Sequence, residues 1–246
     1  MAGTLYLVAT PIGNFDDITF RALQVLKAAD LVIYEERREG ERLMRHFAIE
    51  KPVETLNEHN EAAASHTILR HLETGKTVAL VSDCGTPVFS DPGQTLVRRA
   101  IEKGIRIVPV PGASSLMPAL TVSGFSIDQF LFYGWLSPKK DRRRAELRHL
   151  LGEKRTIVLM DTPYRLIPLL RDLAETFGGT RRICLAFNLT MRRNGRLRGF
   201  RRKRRGDSKC RIRRTSRIRR GASPPTGAAS DRCRPPISGR DPGHDR

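Results

Sequence analysis

The sequence predicts an α/β protein built on a mainly parallel sheet, followed by a second, smaller α/β unit. Three observations carry that expectation. Short β-branched, apolar runs alternate with amphipathic helical stretches. The runs are apolar on both faces, as strands covered on both sides by helices must be. Gly, Pro, Ser and Asp gather where the runs end, at 10–14, 82–93 and 111–115. In an open parallel sheet those carboxyl ends are where ligands bind.

Taken in order, residues 4–9 read as a buried strand ending at Thr10-Pro11-Ile12-Gly13-Asn14. Residues 16–29 read as a helix, with Ile18, Ala22, Val25, Leu26 and Ala29 on one face and Asp16 and Asp17 near its positive end. Residues 31–34 are a second strand. A helix is expected over 62–72, stopped by Gly75, and a strand over 77–81. Leu96, Val97, Ala100 and Ile101 mark another helix before Gly104; 105–110 is a strand, and Ser114 opens a helix to 120. The second unit begins near Asp128, with strands at 130–133, 156–160 and 182–187 and helices at 139–151 and 164–177. The expected division is 1–125, 126–191 and a tail at 192–246.

The tail is set apart by charge. Of 246 residues, 45 are Lys or Arg and 26 are Asp or Glu, a net of +19. Residues 192–246 hold 20 of the bases and 4 of the acids, which leaves residues 1–191 nearly neutral. Such composition cannot bury enough apolar surface to offset its ordering entropy, so disorder is expected there. Two readings stand. It is a nucleic-acid-binding arm, each base neutralising a phosphate, or it is a GC-rich gene translated out of frame.

Other classes drop out. No apolar stretch approaches the roughly 20 residues of a membrane span, and Met1-Ala2-Gly3-Thr4 lacks a basic leader. Cys84, Cys184, Cys210 and Cys233 are scattered, without metal-ligand spacing. No metal and a reduced cytoplasm are expected.

The most informative segment is Val81-Ser82-Asp83-Cys84-Gly85-Thr86-Pro87-Val88-Phe89-Ser90-Asp91-Pro92-Gly93. Gly85 and Gly93 permit unusual backbone angles and Pro87 and Pro92 fix the path between them. Asp83 and Asp91 present carboxylates to a ligand's hydroxyl or amino groups. A capped turn before a helix is the plainer reading of any one of these residues alone.

This loop resembles the SDAGTPxxSDPG motif of the RsmI-type ribosomal RNA 2′-O-methyltransferases, a branch of the tetrapyrrole methylase superfamily, with Cys84 in place of Ala. Tyr6–Asn14, Asn57-Glu58-His59-Asn60-Glu61 and Pro109–Ser115 resemble further motifs of that family, as do Phe132–Pro138 and Thr162-Pro163-Tyr164-Arg165. The likeness runs from residue 3 to about 190. Tyr34-Glu35-Glu36-Arg37-Arg38 departs from the family's AEDTR, and the match fades after Phe187-Asn188-Leu189-Thr190, so a truncated second domain and an impaired chain are expected.

The resemblance implies a two-domain tetrapyrrole methylase-like fold and methyl transfer from S-adenosyl-L-methionine to the ribose 2′-hydroxyl of a cytidine in small-subunit ribosomal RNA. It implies a cofactor seat at Asp83, Cys84, Gly85, Thr86 and Pro87, shaped by Ser90 and Asp91, with Pro11 and Gly13 facing the same cleft. Ser114 and Ser115 are candidates for the methionyl end or for loop support. Met160 and Leu185 suit either the adenine or plain core. The acceptor's proton needs a base. Glu35, Glu36 and His59 are the candidates, although the two glutamates equally suit pairing with Arg37 and Arg38, and His59 a turn. Arg37, Arg38, Arg42 and Arg45, and Lys139, Lys140, Arg142, Arg143 and Arg144, suit RNA phosphates or a solvated helix face. Partners expected are ribosomal RNA of the small subunit and a second copy in a homodimer. A porphyrinoid C-methyltransferase and a non-catalytic RNA-binding protein are the alternatives.

Overall fold

The computed structural model describes residues 2–179 and 181–191 and, for the backbone, 195–198, 200–201 and 211–212. In chain order the first unit comprises β1 (Thr4–Val8), a 3-10 turn (Phe15–Asp17), α1 (Phe20–Ala28), β2 (Leu31–Tyr34), α2 (Arg37–His46), β3 (Val53–Thr55), α3 (Glu61–Glu73), β4 (Val78–Val81), α4 (Gln94–Glu102), β5 (Arg106–Val110) and α5 (Leu116–Ser123). The second contains β6 (Phe130–Trp135), α6 (Lys140–His149), β7 (Thr156–Met160), α7 (Leu166–Phe177) and β8 (Cys184–Phe187). Beyond it come β9 (Gly195–Arg198), β10 (Phe200–Arg201) and β11 (Arg211–Ile212).

The first five strands form one parallel sheet in the order β3-β2-β4-β1-β5. The chain first winds away from β1 through β2 to β3, then reverses through β4 to β5. Right-handed crossovers therefore put α1 and α2 on one face and α3 and α4 on the other. The packing agrees. Ala22, Leu26 and Met44 lie with Val8, Val32, Ala79 and Val81. Ile68, Leu72, Leu96 and Ala100 lie with Leu5, Ile33, Val78 and Leu80. β2 and β4 are buried at every residue, which is why they read as unbroken apolar runs.

The expected helix over 16–29 is two elements. Asp16 and Asp17 belong to the 3-10 turn, whose first N–H groups are met by Asn14 Oδ1, 3.2 Å from Asp16 N. α1 starts afresh behind Thr19, whose hydroxyl accepts from Ala22 N at 3.0 Å. Two elements, α2 and β3, carry little sequence signal. α2 is arginine- and glutamate-rich, and only Gly40, Leu43 and Met44 are buried. β3 is three residues at the sheet edge.

In the second unit β6 and β7 pair in parallel, with a bulge between Phe132 and Gly134. Leu136, Leu147, Leu169, Leu170 and Leu173 form its core. Arg143 and Asp172, 6% and 3% exposed at the side chain, are paired inside it. Arg143 donates from Nε and Nη2 to Asp172 Oδ2 at 2.8 and 2.6 Å. Arg144 donates to Asp172 Oδ1 at 2.7 Å and pairs with Glu175. β8 pairs antiparallel with β9, and β10 with β11. The disorder expected over 192–246 falls, apart from these short strands, outside the described residues.

α2 packs through a missing side chain. A Cβ at Gly40 would lie 2.1 Å from Cγ of Tyr34, a ring only 1% exposed. Gly40→Ala should therefore destabilise the first unit by about 1–3 kcal/mol, the usual range for overpacking. Chemical denaturation monitored by circular dichroism measures it, and an unchanged midpoint would show that the ring is free to move aside.

Candidate active site

The reversal of winding makes a crevice at the carboxyl ends of β1 and β4. The loop after β1 leaves toward one face, while the loop after β4 leaves toward the other. Reciprocal backbone bonds tie the two together: Thr10 N donates to Gly85 O at 2.8 Å, and Gly85 N to Thr10 O at 3.1 Å. Thr10, 2% exposed, also donates its hydroxyl to Ser82 O at 2.8 Å.

From this clamp the 82–93 loop is folded on itself. Ser82 Oγ donates to Asp91 Oδ2 at 2.5 Å and accepts from Cys84 N at 3.1 Å. Gly85 and Gly93 have φ of 104° and 120°, conformations that L side chains rarely adopt. Val88 and Ser90 also have positive φ, 68° and 66°. Such strain persists only where its surroundings impose it, and it concentrates at functional loops. Glu61, from the start of α3, imposes part of it by accepting from Gly93 N and Thr95 N at 3.0 and 2.9 Å. Desolvation pulls its carboxyl upward, but these donors win and hold it below the ordinary range.

Carboxylates converge here. Asp83 Oδ1 accepts from Glu36 N at 3.1 Å. Burial raises the Asp83 and Asp91 carboxyls, against the hydrogen bonds each accepts. Glu35, half-buried, is pushed up to about 7, first by burial and then by the charges of Asp91, Asp83, Glu36 and Glu58. No cation figures among the causes of any of these three shifts. The cluster suits a ligand that brings positive charge and hydrogen-bond donors.

The other expected residues fall as follows. Pro11, Gly85 and Pro87 are buried, Cys84, Thr86 and Ser90 exposed. Thr86 donates to Ala113 O at 3.3 Å, which brings the loop after β5 alongside. Ser114 Oγ accepts from Leu116 N at 3.2 Å and supports the start of α5; Ser115 is its N-cap residue without a side-chain bond. Gly13 has φ of 143°, and a Cβ there would lie 3.1 Å from Met191 and 3.3 Å from Thr190. Met160 ends β7 opposite Trp135, whereas Leu185 lines a cavity of about 660 Å3 between β7, α7 and β8, with Ile157 and Phe177 in its walls. That cavity does not include the crevice loops.

Of the three candidate bases only Glu35 is half-buried. Glu36 and His59 are exposed, and His59 Nε2 faces Glu58 Oε1 at 3.5 Å. The turn there is capped by Asn57, not His59: Asn57 Oδ1 accepts from His59 N and Asn60 N. Arg37 pairs with Glu41 and Arg42 with Glu39, each at 3.4 Å and exposed; Arg42 also lies over the Phe15 ring. Arg38, Arg45, Lys139, Lys140 and Arg142 are exposed. Arg143 and Arg144, read as suiting RNA phosphates or a solvated helix face, are placed differently. Arg143 is buried on Asp172, and Arg144 is held by Asp172 and by the exposed Glu175. Sequence reasoning missed Thr10 and Glu61 as supports, because their partners lie 75 and 32 residues away. It also missed Phe89, whose ring meets Phe132 of β6 at 4.7 Å and joins the loop to the second unit. Among the described residues no group of three His, Cys, Asp or Glu side chains could hold a metal ion, and no helix is long and apolar enough to cross a membrane.

The fold is a parallel sheet that reverses its winding at a Ser/Asp/Gly/Pro loop, followed by further α/β structure. A family profile described as tetrapyrrole (corrin/porphyrin) methylases matches residues 4–201, and the chain belongs to that family. It is 47% identical over 189 residues to the ribosomal RNA small subunit methyltransferase I of Pseudomonas aeruginosa, covering 77% of this chain and 67% of that one. The protein of the same name from Pasteurella multocida is 41% identical over 190 residues, covering 77% and 68%. The chain thus spans about two thirds of the length of these curated relatives. Among solved structures, a cobalt precorrin-4 methyltransferase superposes with a TM-score of 0.59 at 18% identity, covering 80% of this chain and 84% of the other.

Glu35 makes stability depend on pH. Its folded value of about 7 lies above the ordinary 4.5, so the folded state holds a proton that the unfolded state has lost. The stability it contributes is full below 4.5 and is lost as pH rises through 7. Relative to wild type, Glu35→Gln should gain stability progressively from about pH 4.5 and level off above about 7. Urea denaturation across that window measures the difference, and a pH-independent offset would contradict the burial of an ionisable Glu35.

Proposed function

We propose that this chain is an S-adenosyl-L-methionine-dependent methyltransferase acting on small-subunit ribosomal RNA, with the 2′-hydroxyl of a cytidine as acceptor. The carrying observation is the anionic, backbone-clamped crevice at Thr10, Ser82–Gly93 and Glu35, in a chain 41–47% identical to ribosomal RNA small subunit methyltransferases. The cytoplasm, where that substrate lies, and a homodimer complete the reading.

The residues suit the cofactor. Gly85 brings backbone to the crevice floor, and a Cβ there would come 3.4 Å from Ile12 Cγ2 and narrow the space. Asp83 and Asp91 offer acceptors to ribose hydroxyls or an ammonium. Pro11, Gly13, Cys84, Thr86, Pro87 and Ser90 form the remaining wall, with Ser114 and Ser115 across it. When bound, S-adenosyl-L-methionine supplies a methyl group on a positively charged sulfur, which departs as a neutral thioether.

The protein's work is then placement and proton removal. Fixing the hydroxyl behind the methyl is worth about 7–11 kcal/mol in favourable systems. Glu35 accepts the hydroxyl proton as the new O–C bond forms. A carboxyl poised near 7 is ionised in a useful fraction at neutral pH yet basic enough to take the proton. Glu36 and His59, exposed to solvent, lack that tuning. Arg37, Arg38 and Arg42 on α2 and Lys139, Lys140 and Arg142 at α6 meet RNA phosphates. The exposed pairs of Arg37 and Arg42 are worth at most about 1 kcal/mol and exchange readily for a phosphate.

The test incubates the full chain with S-adenosyl-L-methionine and small ribosomal subunits lacking the modification, then digests the RNA and measures 2′-O-methylcytidine by mass spectrometry. Product formation supports the reading. Failure to bind cofactor, or transfer to a precorrin instead of RNA, overturns it. Glu35→Gln should lower kcat on the order of 10²–10⁴-fold. It should also remove the limb of the rate profile that rises toward pH 7, with little change in cofactor affinity. A variant that keeps the limb would exclude Glu35 as base.

A further inference from the structure

Trp135 is the only tryptophan in the chain, and it is 43% exposed at the carboxyl end of β6. The mechanism above gives it no role. It forms one wall of an open groove of about 380 Å3, shared with Pro138, Arg142 and Arg165. We propose that this groove is a stacking subsite for a single nucleobase of the RNA, beside the methyl-transfer crevice. The proposal rests on the RNA reading above and names the part of the acceptor that the second unit recognises.

The groove is held open by its neighbours. Leu136, 2% exposed, anchors the chain in the core directly after Trp135. Its carbonyl accepts from Arg165 Nη2 at 2.6 Å, and Arg165 in turn lies 3.1 Å from Asp161. Ser137 N donates to Glu146 Oε2 at 2.8 Å. The buried Arg143 donates to Pro138 O at 3.0 Å. Three side chains, Arg143 and Glu146 of α6 and Arg165 just before α7, thus fix a loop whose aromatic side chain is left part-exposed. The bulge at Tyr133 changes the register just before it, a device that re-aims side chains at sheet ends.

Charge and position choose the occupant. Exposed Lys139, Lys140 and Arg142 rim the loop, so a polyanion is favoured. An aromatic face beside guanidinium groups is the arrangement on which unpaired bases stack, whatever their identity. Phe132 touches Phe89 of the crevice loop, and Trp135 lies three positions beyond Phe132, at most roughly 10 Å of chain. A base seated on Trp135 therefore belongs to a nucleotide near the one whose ribose enters the crevice.

The single tryptophan makes the test direct. The full chain is titrated with short single-stranded cytidine-containing oligoribonucleotides and with the same oligomers made abasic. Binding is followed by tryptophan fluorescence and by anisotropy of a labelled oligomer. The proposal expects quenching by base-bearing oligomers only. Trp135→Ala should weaken their binding roughly 5- to 150-fold, the effect of one stacked base. Trp135→Phe should keep most of the affinity, and abasic oligomers, held by phosphate contacts alone, should bind both variants as they bind wild type. Binding of RNA without quenching, or an equal loss for both oligomers in Trp135→Ala, overturns the subsite and leaves the methyltransferase reading standing. No binding of any oligomer overturns the subsite, while the methyltransferase reading is decided by transfer to small ribosomal subunits. Cofactor affinity, unchanged in Trp135→Ala, confirms the fold of the variant.

Discussion

The structure depends on one topological constraint: the winding of the sheet reverses between β1 and β4. Two adjacent parallel strands send their connections to opposite faces, so nothing covers the space between their carboxyl ends. An open gap would leave buried backbone groups without partners, which proteins rarely tolerate. The Thr10–Gly85 backbone pair closes the floor of the gap, and the Thr10 hydroxyl takes Ser82 O. Everything above that floor then becomes wall. The positive φ values at Gly85, Val88, Ser90 and Gly93 are the path a twelve-residue loop takes to climb out and deliver α4 to the far face.

Electrostatics follow from the same geometry. The ends of β2 and β4 are neighbours, so Glu35 and Asp83 are brought together, and the loop folds Asp91 back onto Ser82. Burial, and then the like charges of its neighbours, push the Glu35 carboxyl up to about 7. Arg37, Arg38 and Arg42 on α2, and Lys139, Lys140 and Arg142 at the start of α6, are by contrast exposed. Under the proposed function, a cationic nucleoside suits the acidic crevice and a polyanionic acceptor these exposed bases.

Much of this was legible in the sequence. Strands buried on both faces announce themselves, as Val78–Val81 does, because every position must be apolar. The Ser82–Gly93 loop was legible because its conformation demands Gly and Pro at fixed places. α2 was not, because a helix covering the sheet edge buries only three residues and looks like a charge run. The site's supports were hidden for another reason. Thr10 and Glu61 act on partners far along the chain, and a lone Thr or Glu carries no mark of that. Arg143 shows the limit in reverse. Within Arg142-Arg143-Arg144 the composition is uniform, yet helical phase turns Arg142 to solvent and Arg143 onto Asp172.

The choice of acceptor cannot reside in the shared fold. A cobalt precorrin-4 methyltransferase shares this fold at 18% identity, so the architecture alone does not single out an acceptor. What distinguishes an acceptor must be carried by parts free to vary without disturbing that floor. β6, its bulge and the loop to α6 meet this condition. They touch the crevice through the Phe89–Phe132 contact but are anchored by their own core and by the Arg143–Asp172 pair. Because that anchoring is independent, the Trp135 loop can change its surface chemistry while β6 stays in place. Under the proposed function, the second unit is where the acceptor is recognised, and the aromatic and basic side chains it exposes suit an RNA strand.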